Sequence, residues 1–146
     1  MDNKSLSHSK YNCCYHVVFV PKYRRKAMYG EVRKDLVDIF KQLCQMKHVD
    51  LVDGAICKDH VHMYLSIPPK ISISSFMSHL KGKSALMLFD RHPEYKEKNN
   101  KHFWARGFYS CLYRYRHKAT YADKIIMPIN NDNVFINGRF LIDLSA

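Results

Sequence analysis

The chain has 146 residues, 47% hydrophobic and 25% charged, enough for one domain with its own core. No apolar run reaches the ~18 residues of a membrane-spanning helix, and Met1-Asp2-Asn3-Lys4-Ser5 is no secretory signal, so a cytoplasmic protein is expected. The net charge of +11, from 24 Lys and Arg against 13 Asp and Glu, favours polyanions, nucleic acid above all, although solubility alone also explains charge.

Residues 14–20 read C-Y-H-V-V-F-V, a β-branched and aromatic run that predicts a strand stopped by Pro21. The basic stretch Lys22-Tyr23-Arg24-Arg25-Lys26 follows as an exposed loop. Between residues 31 and 47 the apolar positions Val32, Leu36, Ile39, Phe40, Leu43 and Met46 have helical spacing with one buried face. Residues 49–57 predict a second strand, with Gly54 as a bulge or close approach.

Lys58-Asp59 makes a tight connection to a third strand over residues 60–67. There Val61, Met63, Leu65 and Ile67 face one way, and His60, His62, Tyr64 and Ser66 the other. A second amphipathic helix is expected over residues 74–89, capped by Ser72 or Ser74. A charged, Asn-rich loop over 90–101 leads to a fourth strand over 102–109, broken by Gly107. The order strand, helix, strand, strand, helix, strand is a repeated split βαβ unit. It predicts an α+β, ferredoxin-like sandwich: an antiparallel four-stranded sheet with two main helices on one face. The other face is left free for chemistry or ligand, and residues beyond 109 are an irregular C-terminal segment.

Five cysteines at irregular spacing, two of them adjacent (Cys13 and Cys14), read as reduced thiols and not as a disulfide framework. Ten tyrosines and eight phenylalanines offer stacking surfaces for single strands, though most such rings belong in a core. The strongest chemical signal is His60-Val61-His62, because residues i and i+2 of a strand project from one face and their imidazoles can reach one divalent ion. A lone His-x-His pair is more often surface decoration, but here the opposite face alternates without a fault. Cys57 beside these histidines lacks the further ligand a structural zinc site needs, and its pairing with a histidine as a nucleophile has no specific support. Lys81-Gly82-Lys83-Ser84 is no phosphate loop, since Met77 stands where the first glycine is required. No RNA-recognition signature accompanies the strand order.

Five ordered blocks carry a family resemblance: Y-H-V-V-F-V-P-K-Y-R-R-K (15–26), D-H-V-H-M (59–63), S-I-P-P-K (66–70), S-S-F-M-S-H-L-K-G-K-S (74–84) and F-W-A-R-G-F-Y (103–109). Over roughly residues 11–109 the chain resembles the single-tyrosine HUH transposases of the smallest bacterial insertion sequences, the IS200-like family. The resemblance implies one transposase-like domain over 1–146, in the bacterial cytosol near the nucleoid, working as a homodimer on DNA. It implies recognition of hairpin or single-stranded DNA ends, and cleavage and rejoining of strands through a 5′-phosphotyrosine. His60 and His62 match the metal histidines, which with a downstream polar residue hold Mg²⁺ or Mn²⁺. Lys22, Arg24, Arg25, Lys26, Lys81, Lys83 and Arg106 are the expected phosphate contacts, with Arg114 behind them.

Past Tyr109 the pattern departs from the family, whose next helix carries the nucleophilic tyrosine and a glutamine four residues on. Tyr121 stands closest to the tyrosine position, about two residues early; Ile125 replaces the glutamine, and Pro128 would cut the helix short. Tyr113 and Tyr115 are the remaining candidates. A frameshift or truncation of the C-terminal part, 110–146, is expected from this abrupt change. Three readings stand: a metal-dependent transposase, a catalytically impaired relative that only binds hairpin or single-stranded DNA, and, less favoured, an RNA-binding module or ribonuclease.

Overall fold

The computed structural model describes residues 4–6, 9–11, 13–98, 102–113 and 140–142. A short hairpin, β1 (Lys4–Leu6) and β2 (Ser9–Tyr11), precedes the main sheet. Then come β3 (Cys14–Phe19), α1 (Gly30–Met46), β4 (Asp50–Ile56), β5 (Val61–Ser66), α2 (Ile73–Arg91), the short α3 (Glu94–Lys98), β6 (Tyr109–Tyr113) and β7 (Phe140–Ile142). The sheet order is β6-β3-β5-β4-β7. Each of its first four strands is antiparallel to its neighbour in that group, which is the split-βαβ arrangement expected, while β7 pairs in parallel with β4 and adds a fifth strand from the tail read as irregular.

One core joins the two helices to one sheet face. Val17 and Phe19 of β3 and Val61, Met63 and Leu65 of β5 pack with Leu36, Ile39, Phe40 and Leu43 of α1 and Phe76, Met77 and Leu80 of α2. Each such side chain stabilises the fold by about 1.5–3 kcal/mol relative to exposure. Ser72 caps α2, its Oγ accepting the Ser75 amide at 3.1 Å, so Ser72 and not Ser74 is the cap. The α1 terminus closes with His48 in the left-handed region (φ 54) and the Val49 amide donating to the Cys44 carbonyl at 3.0 Å. That is the 6→1 bond with which a helix ends on a left-handed residue, usually glycine. Asp35 of α1 ties down the far end of α2, accepting from Arg91 Nη1 at 2.9 Å and lying 2.6 Å from His92 Nε2.

Two boundaries differ from expectation. The fourth strand is not residues 102–109 but Tyr109–Tyr113. The preceding aromatics keep only a single bridge, Trp104 to Pro21, and fill the core: Phe103 and Trp104 are buried, and Trp104 lies edge-on to Phe19 at 4.8 Å. Gly107, at φ 78, turns the chain before β6, a conformation in which a side chain would be strained. In β4 the irregularity falls between Leu51 and Asp53 and not at Gly54. The extra residue lets Leu51 lean on the core while Asp53 turns to the opposite face.

Candidate functional site

The face away from the helices is assembled by register. His62 lies opposite Val18 of β3 and Ala55 of β4; Tyr64 lies opposite His16 and Asp53. Directly paired residues share a face, so β3, β4 and β5 deliver His16, Asp53, His62 and Tyr64 to one surface. Along β5 this face is not open as expected. His60, His62, Tyr64 and Ser66 are all buried, the two histidines being only 2% and 1% exposed. Ring packing accounts for part of this, since His16 stacks on Tyr64 at 4.7 Å and on His62 at 5.4 Å.

The two imidazoles of the His-x-His pair stand 4.8 Å apart between centroids, nearly perpendicular. His60 Nδ1 lies 2.6 Å from Asp59 Oδ1, and His62 Nδ1 lies 3.1 Å from His16 Nε2. A carboxylate only accepts, so a neutral His60 ring carries its proton on Nδ1, which leaves the lone pair on Nε2. With the His62 proton likewise on Nδ1, donated to His16, the His62 Nε2 presents a second. Both Nε2 atoms are buried and have no hydrogen-bond partner among the described residues. Burial, with the neighbouring His60 and His16, pushes the His62 pKa down to about 3, and burial pushes His16 to about 4. His62 and His16 therefore stay neutral at physiological pH, and a neutral ring is what metal binding requires of His62. Ring nitrogens on two neighbouring imidazoles, both unpartnered among the described residues, fit a divalent ion. They fit as part of a ligand set, because among the described residues no group of three His, Cys, Asp or Glu side chains converges to hold one.

The basic loop lies against this site. Residues Lys22–Arg24 form a single 3-10 turn in which Tyr23 (φ 61) and Arg24 (φ 50) are both left-handed. Such conformations cost on the order of 1–3 kcal/mol each and persist where surrounding contacts impose them. Here the Lys22 amide donates to the Phe103 carbonyl and the Ala105 amide to the Val20 carbonyl. The turn thrusts Tyr23 into solvent, 72% exposed, with Lys22 Nζ and the Arg25 guanidinium each 5.3 Å from its ring centre. Arg24 Nε donates to Asp59 Oδ2 at 3.1 Å. Lys26 is exposed.

The remaining predicted phosphate contacts are dispersed. Lys81 reaches inward, its Nζ 2.6 Å from the carbonyl oxygens of both Ala105 and Gly107. It thereby pins the loop that carries the exposed Arg106. Lys83 lines a separate cleft of about 500 Å³ with Lys47, Ser75, Ser78 and His79. Arg114, Tyr115 and Tyr121 lie outside the described residues; Tyr113 ends β6. Sequence reasoning missed His16 and gave Asp59 no role. Both sit inside quoted blocks, but only strand pairing brings His16 to His62.

A family model described as "Transposase IS200 like" matches residues 9–123, past Tyr109 and across Tyr121. The transposase for insertion sequence element IS200 of Salmonella typhimurium is 52% identical over 109 residues, 74% of this chain and 72% of that protein. The ISDra2 transposase TnpA of Deinococcus radiodurans is 35% identical over 88 residues, 60% of this chain and 63% of its own. Among solved structures, a Deinococcus radiodurans protein assigned as a transposase superposes with a TM-score of 0.71 at 25% identity, covering 86% of this chain and 96% of that one. A REP-associated tyrosine transposase bound to a REP hairpin shares the fold, with a TM-score of 0.56 at 13% identity over 83% of this chain and 68% of that one.

Proposed function

The chain belongs to the IS200-like transposase family, and from that premise we propose that it binds hairpin and single-stranded DNA ends, then cleaves and rejoins single strands through a 5′-phosphotyrosine. The observation that carries this reading is the pair of buried Nε2 atoms on His60 and His62, without a hydrogen-bond partner among the described residues, next to a turn bearing Lys22, Arg24, Arg25 and Lys26. These two nitrogens would hold Mg²⁺ or Mn²⁺. When bound, such an ion supplies Lewis-acid polarisation of the scissile phosphate.

The chain's own groups do the rest. The basic turn draws in the backbone, and Tyr23 offers a ring on which an unpaired base stacks. Tyr121 is the proposed nucleophile: its hydroxyl gives up its proton to solvent as its oxygen bonds to phosphorus, the bond to the 3′-oxygen breaks, and that oxygen takes a proton from solvent, so the exchange is balanced. The phosphate ester energy is retained in the tyrosyl bond, so rejoining needs no nucleotide hydrolysis. The family likeness also carries a homodimer, supported by the sheet-edge strand β6 with Tyr109 and Leu112 exposed.

A second reading, DNA binding without cleavage, is favoured by one feature: Ile125 in place of the expected glutamine. Incubation with labelled hairpin DNA and Mn²⁺, followed by a denaturing gel, separates the two. A covalent adduct is expected with the native chain, lost in Tyr121→Phe and strongly reduced in His62→Ala. Hairpin binding with no adduct leaves only the second reading; neither binding nor adduct overturns both. No helix among the described residues is long and apolar enough to cross a membrane.

A further inference from the structure

Asp59 precedes the His-x-His pair and lies outside the strand, at the tight connection between β4 and β5. Its carboxylate is bidentate in use: Oδ1 lies 2.6 Å from His60 Nδ1, and Oδ2 accepts from Arg24 Nε at 3.1 Å. His60 is buried, its Nε2 has no hydrogen-bond partner among the described residues, and Arg24 reaches Asp59 from a left-handed backbone. A residue in that conformation is held there by its surroundings, and the bond to Asp59 is one such constraint.

From this geometry we infer that Asp59 is a positioning residue, fixing the tautomer and rotation of His60 so that Nε2 points its lone pair at the ion, and that Arg24 holds Asp59 in place. The inference rests on the metal reading above and adds a residue to it. Without the carboxylate, the His60 ring is free to carry its proton on Nε2, where it cannot ligate, or to rotate. An anionic acceptor also makes the ring a better donor to metal. Partners of this kind alter metal affinity by about 10–100-fold when removed. Arg24 acts one step further out, so its loss has a smaller effect. This accounts for a basic residue facing the site while one of its nitrogens is committed to a carboxylate.

The test is Mn²⁺ affinity of the full chain without DNA, measured by calorimetry or by loss of the free-ion EPR signal, with thermal melting of each variant as the folding control. Asp59→Ala is expected to weaken Mn²⁺ binding by about 10–100-fold. Asp59→Asn, which keeps an acceptor but not its charge, is expected to fall between Asp59→Ala and the native chain, and Arg24→Ala to weaken binding less than Asp59→Ala. His60→Ala and His62→Ala calibrate the scale. Native affinity in a folded Asp59→Ala variant overturns the inference while leaving the histidine site standing. A native chain whose Mn²⁺ binding is absent, or indifferent to both histidine substitutions, overturns the metal reading itself. If Asp59→Ala fails to fold, Asp59→Asn decides: unchanged affinity overturns the inference, weakened affinity supports it.

Discussion

His-x-His was legible because it needs only the two-residue strand period, whereas its surroundings were not. His16 is 46 residues from His62 in sequence and reaches it by the β3–β5 register. Asp53 makes the same point with a measurable consequence. It is 4% exposed, and burial raises its carboxyl from an ordinary 3.8 to about 6, against the lowering effect of the Gly54 amide. Because the folded value lies above the unfolded one, the stability tied to this proton is present below about pH 4 and is lost as pH rises through 6. At neutral pH the folded state therefore carries a buried charge. Asp53→Asn should raise stability by about 1–3 kcal/mol at pH 7.5 in urea melts, and the gain should nearly vanish by pH 3.5. A gain independent of pH would show that charge burial is not its cause.

At the level of elements, α1 follows its one-sided apolar face except at Met46, which is exposed, while α2 has apolar residues on both sides yet buries Phe76, Met77, Leu80 and Leu88, and Ser72 supplies its local cap. The fourth strand departs from expectation: Phe103 and Trp104 look like strand residues, but they fill the core with one bridge, Trp104 to Pro21, and the strand itself begins at Tyr109. Trp104 Nε1 donates to Ser84 Oγ at 2.8 Å, a bond across 20 residues that no local pattern announces. Lys81 was read as a phosphate contact for the same reason: a lysine in a basic helix segment gives no hint that two loop carbonyls will claim it. If Lys81 is a loop clamp, Lys81→Met should weaken single-stranded DNA binding without changing its salt dependence. A direct phosphate contact would instead lower the slope of log K against log salt by about 0.7. Titrations at three salt concentrations distinguish the two.

For the whole molecule, part of the +11 charge lies on the turn beside the histidines, where Arg24, Arg25 and Lys26 are exposed. About five phosphate contacts would give a slope near −3.5 for a single strand. A slope near zero would remove the basic turn from the DNA-binding surface.

Composition, periodicity and ordered motif blocks were enough to determine the sandwich, the family and the metal-histidine candidates, since those depend on residue type and short-range spacing. The tertiary structure decided what each group is bonded to: His16 to His62, Asp59 to both His60 and Arg24, and Lys81 to the 105–107 loop. It also decided that the histidine face is buried along β5. Such partnerships are settled by strand register and by competition for buried hydrogen bonds, which act between segments far apart in the chain.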